Sequence, residues 1–319
     1  MNRIFSSLRP LAGAAALMAS SHLSCATTSG GGFLGSIESA AARVLVSDEQ
    51  ENQIGLQVKQ KIEQQQGMRY ITDPQMTGYV NELANKVLVS AKADRPGVTW
   101  QVHVIDDPKA VNAFATPGGY LYVYSGLLLA AENEAEVLGV LGHESGHVVA
   151  RHSARQMVDT YGLEAIASLA LGQNPNLLGQ LAASVGAKGV LLQRSRSDED
   201  EADEYGARYT SQAGYDPRGL VTFFEKLQAQ SGSTSGLMTW LSDHPATDTR
   251  IAHINEVIAQ RGLTGTEKGA ARFMPMKHRL AALAGTGVSG SASGAPPSSR
   301  NPPPSSAPPP ANAPPPSHR

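Results

Sequence analysis

Apolar residues recur along this chain at two spacings, and the switch between them marks out its elements. Between 37 and 66, Ile54, Val58 and Ile62 fall one helical turn apart, which predicts an amphipathic helix ending at Gly67. Asp73-Pro74 opens a second helix with Met76, Val80, Leu83 and Val87 on one face. The spacing drops to two in Trp100-Gln-Val-His-Val-Ile105, a strand whose polar-face His103 is read as structural. Val111–Ala115 and Tyr120–Tyr124 are expected as two more short strands, joined by a turn at Pro117-Gly118-Gly119. Helical spacing returns after Asn133, a capping residue, and runs through Val137, Leu141 and His147 to about Val158. Further helices are expected over 161–171, 190–213 and 247–260, and after Asp216-Pro217 with Leu220, Phe223, Phe224 and Leu227 inward. The sum is a mainly helical α+β domain with one small β-sheet.

The ends of the 319-residue chain are of another kind. Residues 1–24 have the layout of an export signal: Arg3 and Arg9, then the nine-residue apolar run Leu11–Ala19, too short to span a bilayer. The only cysteine, Cys25, follows directly and resembles the lipid-modified cysteine of bacterial lipoproteins; ordinary cleavage after Ala26 is the alternative. Ala26 stands where an Asp would retain a lipoprotein at the inner membrane, so an outer-membrane anchor facing the periplasm is expected. Residues 285–319 hold 11 of the 20 prolines and no aromatic residue, so that tail is expected to stay disordered. The folded unit is then 47–284, preceded by a 25–46 lead-in. A net charge of −2 gives no basic field for nucleic acid. One cysteine excludes a disulfide framework and any multi-cysteine zinc site, so a metal here rests on histidines and carboxylates.

Such a constellation is present. In His143-Glu144-Ser145-Gly146-His147 the two histidines sit about 40° apart on a helix and about 6 Å along its axis, so both imidazoles reach one ion. Glu144 lies in the same arc, facing the ion's open side. This is the zinc-protease arrangement with the glutamate as general base. Gly139, Gly142 and Gly146 form a stripe on the same helix, which predicts close approach of another backbone, such as a strand or a substrate wall. His152 would lie about 140° round that helix from His147 and is read as structural.

Zinc needs a third protein ligand and an open position. Asp198 to Glu204 carries six acids in seven positions, which repel unless cations offset them. Glu199 and Asp203 are four apart on one helical face, with Ala202 and Gly206 small beside them. Glu199 is the favoured third ligand, and Asp203 then holds the outer N–H of a zinc histidine. Glu201 is the rival, but the residue four beyond it is Tyr205.

In order along the chain stand Asn112-Ala-Phe-Ala-Thr-Pro-Gly-Gly119, Gly126-Leu-Leu128, Glu134, His143 to His147, Arg151-His152, Ser195-Arg196 with Glu199 and Ala202-Asp203, and His244-Pro245 ahead of Arg250-Ile251. From about Ser47 to Ile258 the chain thereby resembles the zinc metallopeptidases that include HtpX, the CAAX prenyl proteases, BepA and LoiP. It lacks the transmembrane helices of HtpX and the helical repeats of BepA, and its layout is nearest the LoiP-type lipoproteins. The resemblance implies a zincin-type fold, one Zn2+ per chain, Glu199 as third ligand and hydrolysis of misfolded or unassembled envelope proteins. His244 is then the candidate donor to the developing oxyanion, with Arg250 behind it; alternatively its imidazole fills zinc's fourth position at rest. Substrate is expected to add as a strand along Asn112, Ala113, Phe114 and Ala115, or along Tyr120–Tyr124, with Gly118 and Gly119 nearby. The rival to a periplasmic protease is a zinc-containing chaperone that holds envelope proteins without cutting; the rival to the anchor is a soluble periplasmic or secreted protein.

Overall fold

The computed structural model of the chain describes residues 46–64, 68–188, 194–230, 244–245 and 248–286. The export signal, Cys25, nearly all of the 25–46 lead-in and residues 287–319 lie outside them.

Helix α1 (Asp48–Gln64) buries Ile54, Val58 and Ile62, the residues its spacing selected. Helix α2 (Pro74–Asp94) is capped by the Asp73 side chain, which accepts from Met76 N, and buries Met76, Val80, Leu83 and Val87. Strands β1 (Gln101–Ile105), β2 (Ala113–Thr116) and β3 (Tyr120–Tyr124) form one sheet in the order β1-β3-β2. β1 runs parallel to β3 and β2 antiparallel to it. Alternation along β2 and β3 then supplies two cores. Ala113, Ala115, Leu121 and Val123 join the main core with α2, while Phe114, Tyr120, Tyr122 and Tyr124 turn to a second core with α1. His103 packs between the rings of Tyr70 and Tyr122, and burial lowers its pKa.

The remaining elements are all helical: α3 (Ser125–Ala130), α4 (Glu134–Val149), α5 (His152–Tyr161), α6 (Leu163–Ala170), α7 (Pro175–Lys188), α8 (Arg196–Gln212), α9 (Gly219–Gln230), α10 (Asp248–Gln260) and α11 (Ala270–Thr286). The chain is therefore mainly helical with one small sheet, as its periodicity predicts.

Three expectations need correction. The helix after Asn133 does not continue to Val158. Arg151 adopts a left-handed conformation (φ 62°), the one non-glycine residue to do so among the described residues, and splits it into α4 and α5. Tyr120–Tyr124 cannot receive a substrate strand, because β3 is paired on both sides; of the two candidate segments, β2 is the one at an edge of the sheet. And the fold carries a last helix, α11, that reaches two residues into the expected tail.

The glycine stripe does mark close approach, but the partner is a helix, α8, with the start of α9. A Cβ on Gly142 would sit 3.1 Å from Gly206 Cα, one on Gly146 2.6 Å from Tyr205 Cβ, and one on Gly139 2.5 Å from Leu220 N. Gly206 returns the contact, since its own Cβ would meet Gly139 O at 3.1 Å. Two helices that bear the ligating residues thus meet backbone to backbone, at a separation no side chain would allow.

Candidate metal centre

Helix α4 is fixed at both ends. Asn133 accepts from Glu136 N at its start. Glu134, fully buried, takes hydroxyl hydrogen bonds from Tyr79 (2.7 Å) and Tyr215 (2.5 Å). At the far end Arg95 donates to the Val148 carbonyl, a cation where the helix dipole favours one. Helix α8 begins with a capping box, in which Ser195 Oγ accepts from Asp198 N and the Asp198 carboxylate accepts from Ser195 N.

That start resolves the acidic run. Asp198 pairs with Arg155, Glu201 with His152, Glu204 with Arg261, and Asp203 with Arg250 and His143, while Glu199 turns inward. Five of the six carboxylates thus face a cation or an imidazole, so the run is not simply a solvated face.

His143, His147, Glu199 and His244 each offer a ligand atom, and these atoms all lie within 4.8 Å of one another, every residue buried. His143 Nε2 is 3.1 Å from His147 Nε2 and 3.2 Å from His244 Nδ1. Glu199 oxygens lie 3.5 Å from His143 Nε2, 3.4 Å from His147 Nε2 and 2.9 Å from His244 Nδ1. Donors bound tetrahedrally to zinc at about 2.0–2.1 Å stand about 3.3–3.4 Å apart, so the spacing fits that ion.

The outer nitrogens show why the inner ones face each other. Asp203 Oδ1 lies 2.9 Å from His143 Nδ1. His147 Nδ1 lies 2.7 Å from His152 Nδ1, whose Nε2 reaches Glu201 at 3.1 Å. The simplest proton assignment along this chain makes each Nδ1 of His143 and His147 a donor and leaves both Nε2 atoms as lone pairs. Two lone pairs 3.1 Å apart repel unless a cation lies between them. Arg250 closes the outer layer with a two-pronged bond to Asp203 (2.8 and 2.7 Å) and contacts to Glu199 (3.1 Å) and the Pro245 carbonyl (3.0 Å).

Electrostatics agree. Burial alone would lower His143, but Asp203 and Glu199 outweigh it and hold its pKa up at about 9. Burial, reinforced by the charge of Arg194, drives His147 far down. Burial would raise Glu199, yet His244, His147 and His143 hold it well below the usual carboxylate range. The pocket is a negative site seeking positive charge. Glu144, 1% exposed, has both carboxylate oxygens without a hydrogen-bond partner among the described residues, and its Oε1 is 3.5 Å from His244 Nε2. A buried orphan carboxylate belongs beside a cation and a reacting water.

The sequence predicts His152 as a structural histidine about 140° round one continuous helix from His147. The break at Arg151 brings it instead onto His147, buried, as the group that orients that ring. Nothing in the sequence marks the break, since a left-handed residue is ordinarily a glycine. Asn112 is buried beside β2; its Oδ1 accepts from Ala113 N, and its Nδ2 has no partner among the described residues. Gly118 and Gly119 lie in the tight turn between β2 and β3. Cβ atoms there would meet Asn52 Cα at 2.8 Å and Val98 Cγ1 at 2.5 Å, so packing against α1 and its neighbours accounts for both glycines.

The sequence pattern of Peptidase family M48 matches residues 74–258. The mitochondrial metalloendopeptidase OMA1 of Schizosaccharomyces pombe is 37% identical over 181 residues, covering 56% of this chain and 52% of the relative. The beta-barrel assembly-enhancing protease of Yersinia pestis is 30% identical over 191 residues, 57% of this chain and 39% of the relative. The metalloprotease LoiP of Escherichia coli is 34% identical over 194 residues, 59% of this chain and 71% of the relative. The chain thus matches about half of the first of these and well under half of the second.

Proposed function

Because the chain belongs to peptidase family M48, whose members are zinc metallopeptidases, we propose that it is a zinc-dependent endopeptidase of the bacterial cell envelope that cuts misfolded or unassembled proteins there. The observation that carries this reading is the carboxylate of Glu144, without a hydrogen-bond partner among the described residues, beside the converging donors of His143, His147 and Glu199. A zinc site of purely structural use fills all four positions and has no need of a base.

Three residues from two helices, His143, His147 and Glu199, hold the metal. Zinc, when bound, supplies Lewis acidity that makes a water molecule nucleophilic near neutral pH. Glu144 takes the proton of the attacking water and passes it to the leaving amine. Asp203, Arg250 and His152 keep the ligating rings in one tautomer and one orientation. An extended polypeptide adds to the outer edge of β2 at Ala113, Phe114 and Ala115, where Asn112 Nδ2 offers a donor to its backbone. Such pairing asks little of side chains, which suits unfolded clients.

His244 has two roles open to it: its Nε2 faces Glu144, where it can donate to a developing oxyanion, and its Nδ1 occupies the fourth corner of the donor set. The second contact is the shorter, so the ring is assigned to a resting state that closes the site. His244→Ala is expected to keep its zinc and turn over an unfolded protein faster than the parent. Slower turnover at equal zinc content would assign it the donor role instead.

Residues 1–24 direct export, and a lipid on Cys25 holds the 47–284 domain at the outer membrane, facing the periplasm; a soluble periplasmic or secreted form is the alternative. Among the described residues no helix is long and apolar enough to cross a membrane. Casein cleavage tests the activity: it should stop on chelation and return with zinc. Casein held intact by zinc-loaded protein would favour the non-cleaving chaperone.

A further inference from the structure

A Cβ disfavours the left-handed region by about five- to thirtyfold in population, and Arg151 sits there (φ 62°, ψ 29°), where a glycine would sit freely. Such a conformation persists only where the surroundings impose it. The imposing group comes from the start of α1. Glu51 heads the buried stripe that continues through Ile54, Val58 and Ile62, yet it is a carboxylate, 1% exposed. Its Oε1 accepts from Arg151 Nε at 2.7 Å and lies 2.6 Å from Arg151 Nη2. The same oxygen stands 2.8 Å from Arg95 Nη2, and Arg95 Nη1 donates to the carbonyl of Val148 in the last turn of α4. Arg151 Nη2 also donates to the Val46 carbonyl, just ahead of α1. One buried carboxylate therefore grips both the end of α4 and the residue that turns the chain into α5. The first residue of α5 is His152, whose Nδ1 meets His147 Nδ1. Without the turn the helix would run on and carry His152 about 140° away from His147. Glu51 lies outside residues 74–258, the part that matches the family pattern, and α1 supplies none of the converging donors.

We propose that Glu51 is a positioning residue for the metal centre: by holding Arg151 left-handed it sets the place of His152, and His152 fixes the ring of His147. The proposal rests on the metal centre of the peptidase reading above and not on the nature of the substrate. Zinc affinity then depends on a carboxylate two steps removed from the ligand it serves.

Competition for zinc between the full chain and a chromophoric chelator reads this without turnover. Glu51→Gln keeps the shape of the side chain and removes the charge that two guanidinia share. It should weaken zinc binding by about tenfold or more, as loss of an outer partner of a ligating histidine does. Arg151→Ala keeps a Cβ and loses the grip, and should weaken binding similarly. Arg151→Gly loses the grip too but takes the left-handed turn freely, so it should bind zinc about fivefold or more tightly than Arg151→Ala. Adding Arg151→Gly, but not Arg151→Ala, to Glu51→Gln should recover most of the loss. In His152→Ala protein, Glu51→Gln should cost nothing further, because the route is already cut. The absorption bands of bound Co2+, which report the arrangement of its ligands, should change in Glu51→Gln and return in the double variant with Arg151→Gly. Circular dichroism in the presence of chelator shows which variants are folded at the assay temperature; should Glu51→Gln fail, the contrast between Arg151→Ala and Arg151→Gly decides alone. Parent affinity in Glu51→Gln, equal affinities of Arg151→Ala and Arg151→Gly, or an undiminished Glu51→Gln effect in His152→Ala protein overturns the proposal. A parent that binds no zinc sinks the peptidase reading and this proposal with it, whereas a zinc-binding parent with indifferent variants sinks this proposal alone.

Discussion

Replacing Glu144 with Gln is expected to abolish peptide cleavage and leave the zinc content unchanged. Glutamine keeps the shape of the side chain, and Glu144 is not among the residues whose ligand atoms converge. What the change removes is a base. General base catalysis is worth about 100- to 10,000-fold, and here the same group must also return the proton to the leaving amine, so kcat/KM should fall towards the upper end of that range. The fold should not suffer. Both carboxylate oxygens are buried without a hydrogen-bond partner among the described residues, His244 Nε2 standing 3.5 Å from Oε1, and a buried carboxylate without hydrogen bonds destabilises a protein more than a neutral amide in the same place. The melting temperature of Glu144→Gln should therefore equal or exceed that of the parent. Stopped-assay kinetics, metal analysis and thermal unfolding on one preparation separate the outcomes. Retained cleavage would reject Glu144 as the base, and lost zinc would mean that it supports the metal instead.

Periodicity reaches far into this site because its ligands lie on helices. His143 and His147 are one turn apart on α4, and Glu199 and Asp203 one turn apart on α8, so each pair is fixed by local geometry before any tertiary contact forms. The glycine stripe announces that something comes close, and Gly206 on α8 answers it. Local rules end at three places. Arg151 takes a left-handed conformation without being glycine, which hides the break and with it the position of His152. The pairing of β1 with β3 is a long-range choice, so which strand keeps a free edge cannot be read from alternation. Helix α11 contains Pro275 one turn inside its start and so reads as a break; its packing on the fold, with Phe273, Met276 and Leu280 in the main core, overrides that signal.

Glu199→Ala should yield a protein that neither holds zinc nor cuts, whereas Glu201→Ala should hold zinc less tightly and keep part of its activity. The two glutamates are two residues apart on α8 and therefore project to opposite sides of it. Glu199 is buried with oxygens 3.4 Å from His147 Nε2 and 3.5 Å from His143 Nε2. The Glu201 side chain is 40% exposed and touches His152, one ring removed from the ion. Loss of an outer partner of this sort weakens metal binding by about 10- to 100-fold. Loss of Glu199 leaves the imidazoles of His143, His147 and His244 and the cation Arg250 with no negative ligand among them, so the attraction for the metal is much reduced. Heat makes the contrast visible without an assay of activity. Zinc binds the folded chain and raises its unfolding temperature by mass action, so a chelator should lower the melting point of the parent and, by a smaller margin, that of Glu201→Ala. The melting point of Glu199→Ala should already be low and should not respond to the chelator. If instead Glu201→Ala is the variant indifferent to chelation, the third ligand lies on the other side of the helix and the donor set must be redrawn around His152.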